Sequence, residues 1–391
     1  MINKILSFPE TLLRRIMNSG FFATIVSNPI SAMFTLVAIV VFFSFPSYDI
    51  VLATHEMDVN WTSVFLQARE PFVNHNYLYE SGSHSEKLAF RFVPALMLHI
   101  LHIQTKLPAL IFQFFTLVLF YYLLILVFNK LFKDRNKAFI FALPICFVFP
   151  GHVYVSDYRG IFDTLALDFL LMALLFRDKV YVIIPLLLAY FSDERALIAS
   201  PAIFLLNLLE KNSFESIKSM FKGIFFSSNV YFFISWIAYI IIRFWLGKAF
   251  GLNSGSGGAP LFFEHLNRTF YAVYVGLEGF IIPFVLIILF LLRNRIYSFT
   301  ALLIISFLSV LCISLAVIDI NRSMSYVILL IVLILALLDK LYSKETAFRI
   351  IAWVILINLV HDDSYPFLAQ LYRMKFITHT IYNGSVVFQR Y

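Results

Sequence analysis

Residues 108–137 read PALIFQFFTLVLFYYLLILVFNKLFKDRNK. The first part, 108–129, carries no charge; the next eight residues hold Lys130, Lys133, Arg135 and Lys137. About 20 apolar residues in a helix cross the roughly 30 Å of a bilayer's hydrocarbon. The stretch therefore reads as a membrane helix that ends in a cationic loop. Comparable apolar runs follow or precede it at 30–48, 138–150, 161–176, 180–192, 195–209, 223–246, 269–292, 297–318, 323–339 and 347–360.

Composition agrees. Of 391 residues, 61% are hydrophobic and 14% charged, against about 45–50% and about 25% in ordinary soluble domains. A soluble fold of this size has too little interior for that much apolar surface. A soluble enzyme, a disordered chain and a nucleic-acid-binding domain are excluded. The formal charge of +7 sits mostly in short loops, where anionic lipid and the positive-inside rule account for it. Cys146 and Cys312 lie inside apolar runs and read as small hydrophobes, too few for a zinc site or disulfide framework.

The expected fold is all-α: a polytopic transmembrane helical bundle of about eleven spans, within a range of ten to thirteen. Segment 88–103 is the ambiguous one. It carries Arg91, His99 and His102, with Lys87 just before it, and reads as an interfacial helix. If it crossed, the cluster 129–137 would face outward and every later loop would invert. Leaving it at the surface puts Lys130 to Lys137, Arg177, Lys179, Lys211, Lys218, Lys222, Arg293, Arg295, Lys340 and Lys344 on one side, which is the positive-inside pattern. This predicts a cytoplasmic amphipathic N-terminus (1–29) without a cleavable signal. A membrane domain (30–360) with an outer loop at 49–107 and an outer tail (361–391) follow it. Spans 138–150, 180–192 and 195–209 are short, as helices packed beside a cavity can be.

Charges near the membrane are costly and point to function. Three clusters are expected on the outer side. The first loop holds Asp49, His55, Glu56, Asp58, Arg69 and Glu70, where a carboxylate could deprotonate an acceptor; the plainer reading is a solvated loop. The second, 151–169, holds His152, Asp157, Arg159, Asp163 and Asp168. Asp163 suits either a substrate-orienting role or stabilisation by a helix N-terminus. Asp168 lies deeper, off the face of Asp163. The third is Asp193-Glu194-Arg195. An Arg there suits a phosphate, gripped through paired hydrogen bonds, or an internal salt bridge. Arg322, following Asp319, adds positive charge on the same side. HDD at 361–363 is no metal motif by spacing. There is no P-loop, GxGxxG, HExxH or GxSxG. Asn60-Trp-Thr, Asn267-Arg-Thr, Asn321-Arg-Ser and Asn383-Gly-Ser match the glycosylation tripeptide.

The order of these features resembles the GT-C superfamily of integral-membrane glycosyltransferases, in the style of lipid A aminoarabinose transferases and protein O-mannosyltransferases. The features are His55-Glu56-Met57-Asp58 followed by Ala68-Arg69-Glu70, the Pro-containing segment Phe90-Arg91-Phe92-Val93-Pro94-Ala95-Leu96, Asp163 opening a span, and Ser192-Asp193-Glu194-Arg195 before an apolar run. The likeness covers about residues 30–210. The family's adjacent Asp-Glu is replaced here by Glu56 and Asp58, and Asp58 stands two residues further from Ala68 than usual. The resemblance implies inverting transfer of a sugar from a polyprenyl-phosphate donor to a glycan, lipid or protein acceptor in the bacterial cell envelope, independent of metal or only weakly dependent on a divalent cation. It implies a base among Asp58, Asp49 and Glu56. Donor-phosphate ligands would be Arg195, Arg159 and Arg322, and substrate-orienting groups His55, Arg69, His152, Asp163, Asp193 and Glu194. Membrane lipids, the lipid-linked donor and the acceptor are the expected partners; nucleic acid is not. Two other classes fit the hydropathy. A polysaccharide polymerase or ligase would place arginines in a large later loop, and a transporter or flippase would carry inverted repeats and midplane charges.

Overall fold

The structure is a computed structural model that describes residues 2–44, 59–72, 88–156, 161–212, 214–225, 227–252, 259–317 and 319–360. Among them the chain is all-helical, without strands. The chain begins with α1 (Ile2–Met17), α2 (Gly20–Val26) and α3 (Pro29–Ser44), then α4 (Val59–Arg69), α5 (Phe92–Ile100), α6 (Lys106–Phe132) and α7 (Arg135–Ala142). Next come α8 (Phe149–Ser156), α9 (Ile161–Phe176), α10 (Ile183–Ser192), α11 (Arg195–Ala199), α12 (Pro201–Glu210), α13 (Ile217–Ile224) and α14 (Ser227–Phe250). The last are α15 (Ala259–Glu264), α16 (Thr269–Leu277), α17 (Ile281–Arg293), α18 (Tyr297–Leu315), α19 (Ile320–Met324), α20 (Ile328–Leu341) and α21 (Lys344–Val360).

The described parts of the eleven apolar runs are mostly helical, but the runs differ in kind. Among the described residues five helices are long and apolar enough to cross a membrane: Lys106–Phe132, Ser228–Phe250, Leu266–Arg293, Tyr297–Leu315 and Ile320–Leu341. Two bent pairs raise the number to seven if each counts as one span: α2 with α3 at 108°, and Arg135–Phe147 with Phe149–Val155 at 69°. The runs at 161–176, 180–192, 195–209 and 347–360 form shorter helices. The segment expected to stay at the surface, 88–103, forms a 3-10 turn at 88–90 and the nine-residue α5, the latter about 14 Å long at 1.5 Å per residue.

The second bend has a local cause. Pro144 has no N–H to continue the α-helical bonds and its ring crowds the carbonyl four residues back, and the chain tightens into a 3-10 turn over Leu143–Phe147 before α8 sets off. Gly151 of α8 lies on that turn: a Cβ there would stand 1.8 Å from the Ile145 carbonyl oxygen. Its own carbonyl accepts from the Tyr121 hydroxyl at 3.0 Å.

The span Ile320–Leu341 is the central one, with 83% of its apolar window buried; in Ser228–Phe250 only 22% is buried. There Ile237, Ile240, Ile241, Phe244 and Trp245 face outward. Apolar side chains on both the inner and outer faces of a helix are what a lipid environment selects.

Helix direction sorts the charges into two groups. At one end the C-terminal ends of α6, α9, α12 and α20 meet the start of α7. Lys130 donates to Asp178 and to the Leu175 carbonyl, Arg177 pairs with Glu210, Lys137 with Asp339, and Lys340 bonds the Leu209 carbonyl. Asp163, at the other end of α9, lies fourteen residues from Arg177, or about 21 Å along the helix.

Candidate functional site

The far end of the bundle is built from four segments remote in sequence. Arg91 precedes α5, Asp163 sits in the first turn of α9, Asp193 and Glu194 form the turn between α10 and α11, and Arg322 lies in α19. α10 runs antiparallel to α9, so its C-terminal end returns to Asp163. The long span that includes α19 starts at the same level.

Their side chains form one continuous ion network. Arg91 grips Glu194 with two bonds of 2.9 Å, Nε to Oε2 and Nη2 to Oε1, and its Nη1 lies 3.1 Å from Asp193. Asp193 accepts at Oδ1 from both the backbone N–H and the Nε of Arg195, each at 2.9 Å. Arg195 Nη2 bridges Asp193 and Asp163, and Nη1 donates to Ser323. Asp163 also accepts from Arg322 Nε at 2.7 Å. The Tyr326 hydroxyl stands 3.4 Å from Asp163, and its ring lies under the Arg195 guanidinium at 5.3 Å.

Burial explains why the charges must pair. Asp163 and Asp193 have no exposed surface, and an ionised group in such a place persists only with partners. Burial opposes ionisation of Asp193, yet Arg195 and Arg91 together hold its carboxyl well below the usual carboxylate range. Glu194 is likewise pushed up by burial and pulled further down by Arg91, ending low. The network reaches solvent at two points: the side chain of Glu194 is 24% exposed and that of Arg322 12%.

Of the expected site residues, Asp163, Asp193, Glu194, Arg195 and Arg322 come together here. The internal pair within Asp193-Glu194-Arg195, the plainer of the two readings, is present between Asp193 and Arg195. Arg195 directs four of its guanidinium N–H groups to Asp193, Asp163 and Ser323, and Arg322 has the most exposed side chain of the three network arginines. His152 is buried in α8, its ring edge-on to Phe149 at 5.5 Å, and α8 packs against α19. Arg69 is exposed at the end of α4 and borders a separate pocket of about 140 Å³ with Ala68, Leu98 and His102. Asp49, His55, Glu56, Asp58 and Arg159 lie outside the described residues, as do Asp157 and the tail 361–391.

Three contributors to the network were not anticipated as site residues. Arg91 carried a signal, an Arg inside a short apolar segment. Ser323 and Tyr326 carried none. Glu278 was not anticipated as a buried charge either: it has a positive φ of 44°, is buried, and accepts from the Phe149 N–H at 2.9 Å. Beside it the Asn358 side chain ties two helix breaks together, accepting from Gly279 N–H at 2.7 Å and donating to the Pro144 carbonyl at 3.3 Å. Asp168, deeper in α9, meets the Tyr154 hydroxyl at 3.0 Å. Among the described residues no group of three His, Cys, Asp or Glu side chains is arranged to hold a metal ion.

Compared with protein-family models, with curated proteins and with solved structures, the chain matches none.

Proposed function

We propose that the chain is a membrane glycosyltransferase of the GT-C type, moving a sugar from a polyprenyl-phosphate donor to a glycan, lipid or protein acceptor in the cell envelope. In this reading eleven segments span the inner membrane of a bacterium, the lysine-rich end is cytoplasmic, and the arginine end faces outward. The observation that carries it is the convergence of Arg91, Asp163, Asp193, Glu194, Arg195 and Arg322 at one end of an apolar bundle. A transporter would be expected to carry inverted repeats, and the sequence shows no internal repeat.

The chemistry assigns each group one task. A carboxylate of the first loop, Asp58 or else Asp49 or Glu56, takes the proton of the acceptor hydroxyl. The acceptor oxygen attacks the anomeric carbon as the carbon–oxygen bond to phosphate breaks, and the electron pair leaves on the phosphate. Arg322, with Arg159, stabilises that growing charge. Arg195 holds Asp163, which fixes Arg322 in place. Asp193 and Glu194 fix Arg91 in the same way. A divalent cation is not required by this scheme.

Sugar transfer from a radiolabelled polyprenyl-phosphate sugar, in membranes carrying the chain, tests the reading. Asp58→Ala and Arg322→Ala are each expected to lower the rate at least 100-fold at unchanged protein level. Wild-type rates in both variants would overturn it.

A further inference from the structure

At the lysine-rich end, α12, α13, α14 and α18 enclose a wholly apolar crevice of about 300 Å³. Its walls include Pro201, Phe204, Met220, Phe232, Phe233 and Trp236. Several of these are only half-buried, so the crevice opens sideways. It opens along α14, the helix whose Ile237, Ile241 and Phe244 already face outward.

Depth and charge say what fits it. Phe232 and Trp236 lie five and nine residues from the start of α14, and Phe204 and Pro201 six and nine from the end of α12. At 1.5 Å per residue the walls run about 7 to 14 Å from the lysine-rich end. One leaflet's hydrocarbon is about 15 Å deep, half of the bilayer core. The mouth is covered by α13, whose inner face contributes Met220. Its opposite face carries Lys218 and Lys222 one turn apart, and Phe221 and Phe225 stand exposed beside them. Cations next to exposed aromatics on a short amphipathic helix mark the head-group level. Neither lysine has an ion-pair partner among the described residues.

We infer that this crevice takes an acyl chain of an anionic phospholipid from the leaflet at the lysine-rich end, with Lys218 and Lys222 on its head group. The site is independent of the charged network at the other end and of any transferase activity. The lipid chain supplies the contacts that the half-exposed rings of Phe233 and Trp236 lack, and the lysines select its charge.

Tryptophan quenching by brominated acyl chains tests it on the full-length protein in vesicles. Trp236 lines the crevice, and Trp245 faces outward as a reporter of bulk lipid. With brominated phosphatidylglycerol as a minor component of a phosphatidylcholine bilayer, quenching is expected to exceed that by brominated phosphatidylcholine at equal bromine content by at least twofold. The excess is expected to vanish in Trp236→Phe and in Lys218→Gln/Lys222→Gln. Equal quenching by the two lipids, or an excess that survives either variant, would overturn the inference.

Discussion

The two ends of the bundle both carry ion pairs and build them in opposite ways. At the lysine-rich end the pairs are separate, and each has at least one partner near solvent: Lys130 and Asp178 have side chains 37% and 43% exposed. At the other end Arg91, Arg195 and Arg322 share bonds with Asp163, Asp193 and Glu194 in one network, Asp319 standing 3.8 Å from Arg322 at its edge, with Asp163 and Asp193 wholly buried. Exposed pairs contribute little and tolerate loss. A buried network pays a large desolvation penalty, and removing one member strands the others. Among the described residues such a network stands at one end of the bundle only, and that asymmetry underlies the functional reading.

The contrast can be broken most sharply at Arg195. Arg195→Gln leaves Asp163 and Asp193 short of a shared cation, and the expected loss is about 3–5 kcal/mol, seen as a fall in the thermal unfolding midpoint in detergent. An unchanged midpoint would mean the network is not a unit. Next comes the bend that carries α8. Gly151→Ala forces a methyl against the Ile145 carbonyl, and overpacking of this kind costs about 1–3 kcal/mol. The same midpoint measurement checks it.

Acid titration sharpens the comparison further. The Asp193 carboxyl is held low in the folded state. Its stabilisation is therefore complete above the unfolded value of about 4 and is lost only as pH falls through the lower folded value. The midpoint of the wild type should stay level down to about pH 5 and then decline, and Asp193→Asn should flatten that decline. Asp178 is opposed by burial, but Lys130 brings it low as well. Its exposure lets salt erase the effect, so Asp178→Asn should change the slope only at low ionic strength. The smallest effect belongs to Lys130→Gln, about 0–1 kcal/mol once screening by solvent is allowed for.

Much of this architecture was legible in the sequence, because a helix in lipid must be apolar all round and needs a minimum length. The run at 108–129 became α6, and the charged segment at 88–103 gave the short α5. The bend after α7 was not anticipated, because 138–150 reads as one short apolar run despite Pro144 within it. The break at Glu278 was not either, since a non-glycine residue at positive φ leaves no trace in periodicity. The candidate site was half legible. Asp163, Asp193, Glu194, Arg195 and Arg322 stood out as charges beside apolar runs. Their pairing did not, because Arg91 meets Glu194 from 103 positions away and Arg322 meets Asp163 from 159. Hydropathy locates charges along the membrane normal, whereas pairing depends on which helices are neighbours, and only the packed bundle sets that.

In the proposed function the arginine end grips a polyprenyl-linked phosphate, and the ion pairs of the lysine-rich end, Lys130 with Asp178 among them, do not. The dissociation constant of purified protein for a polyprenyl monophosphate, measured for wild type, Arg322→Gln and Lys130→Gln, tests it most directly. Binding is expected to weaken at least tenfold, about 1.4 kcal/mol, in Arg322→Gln and to stay unchanged in Lys130→Gln. Equal affinity in all three proteins would contradict it.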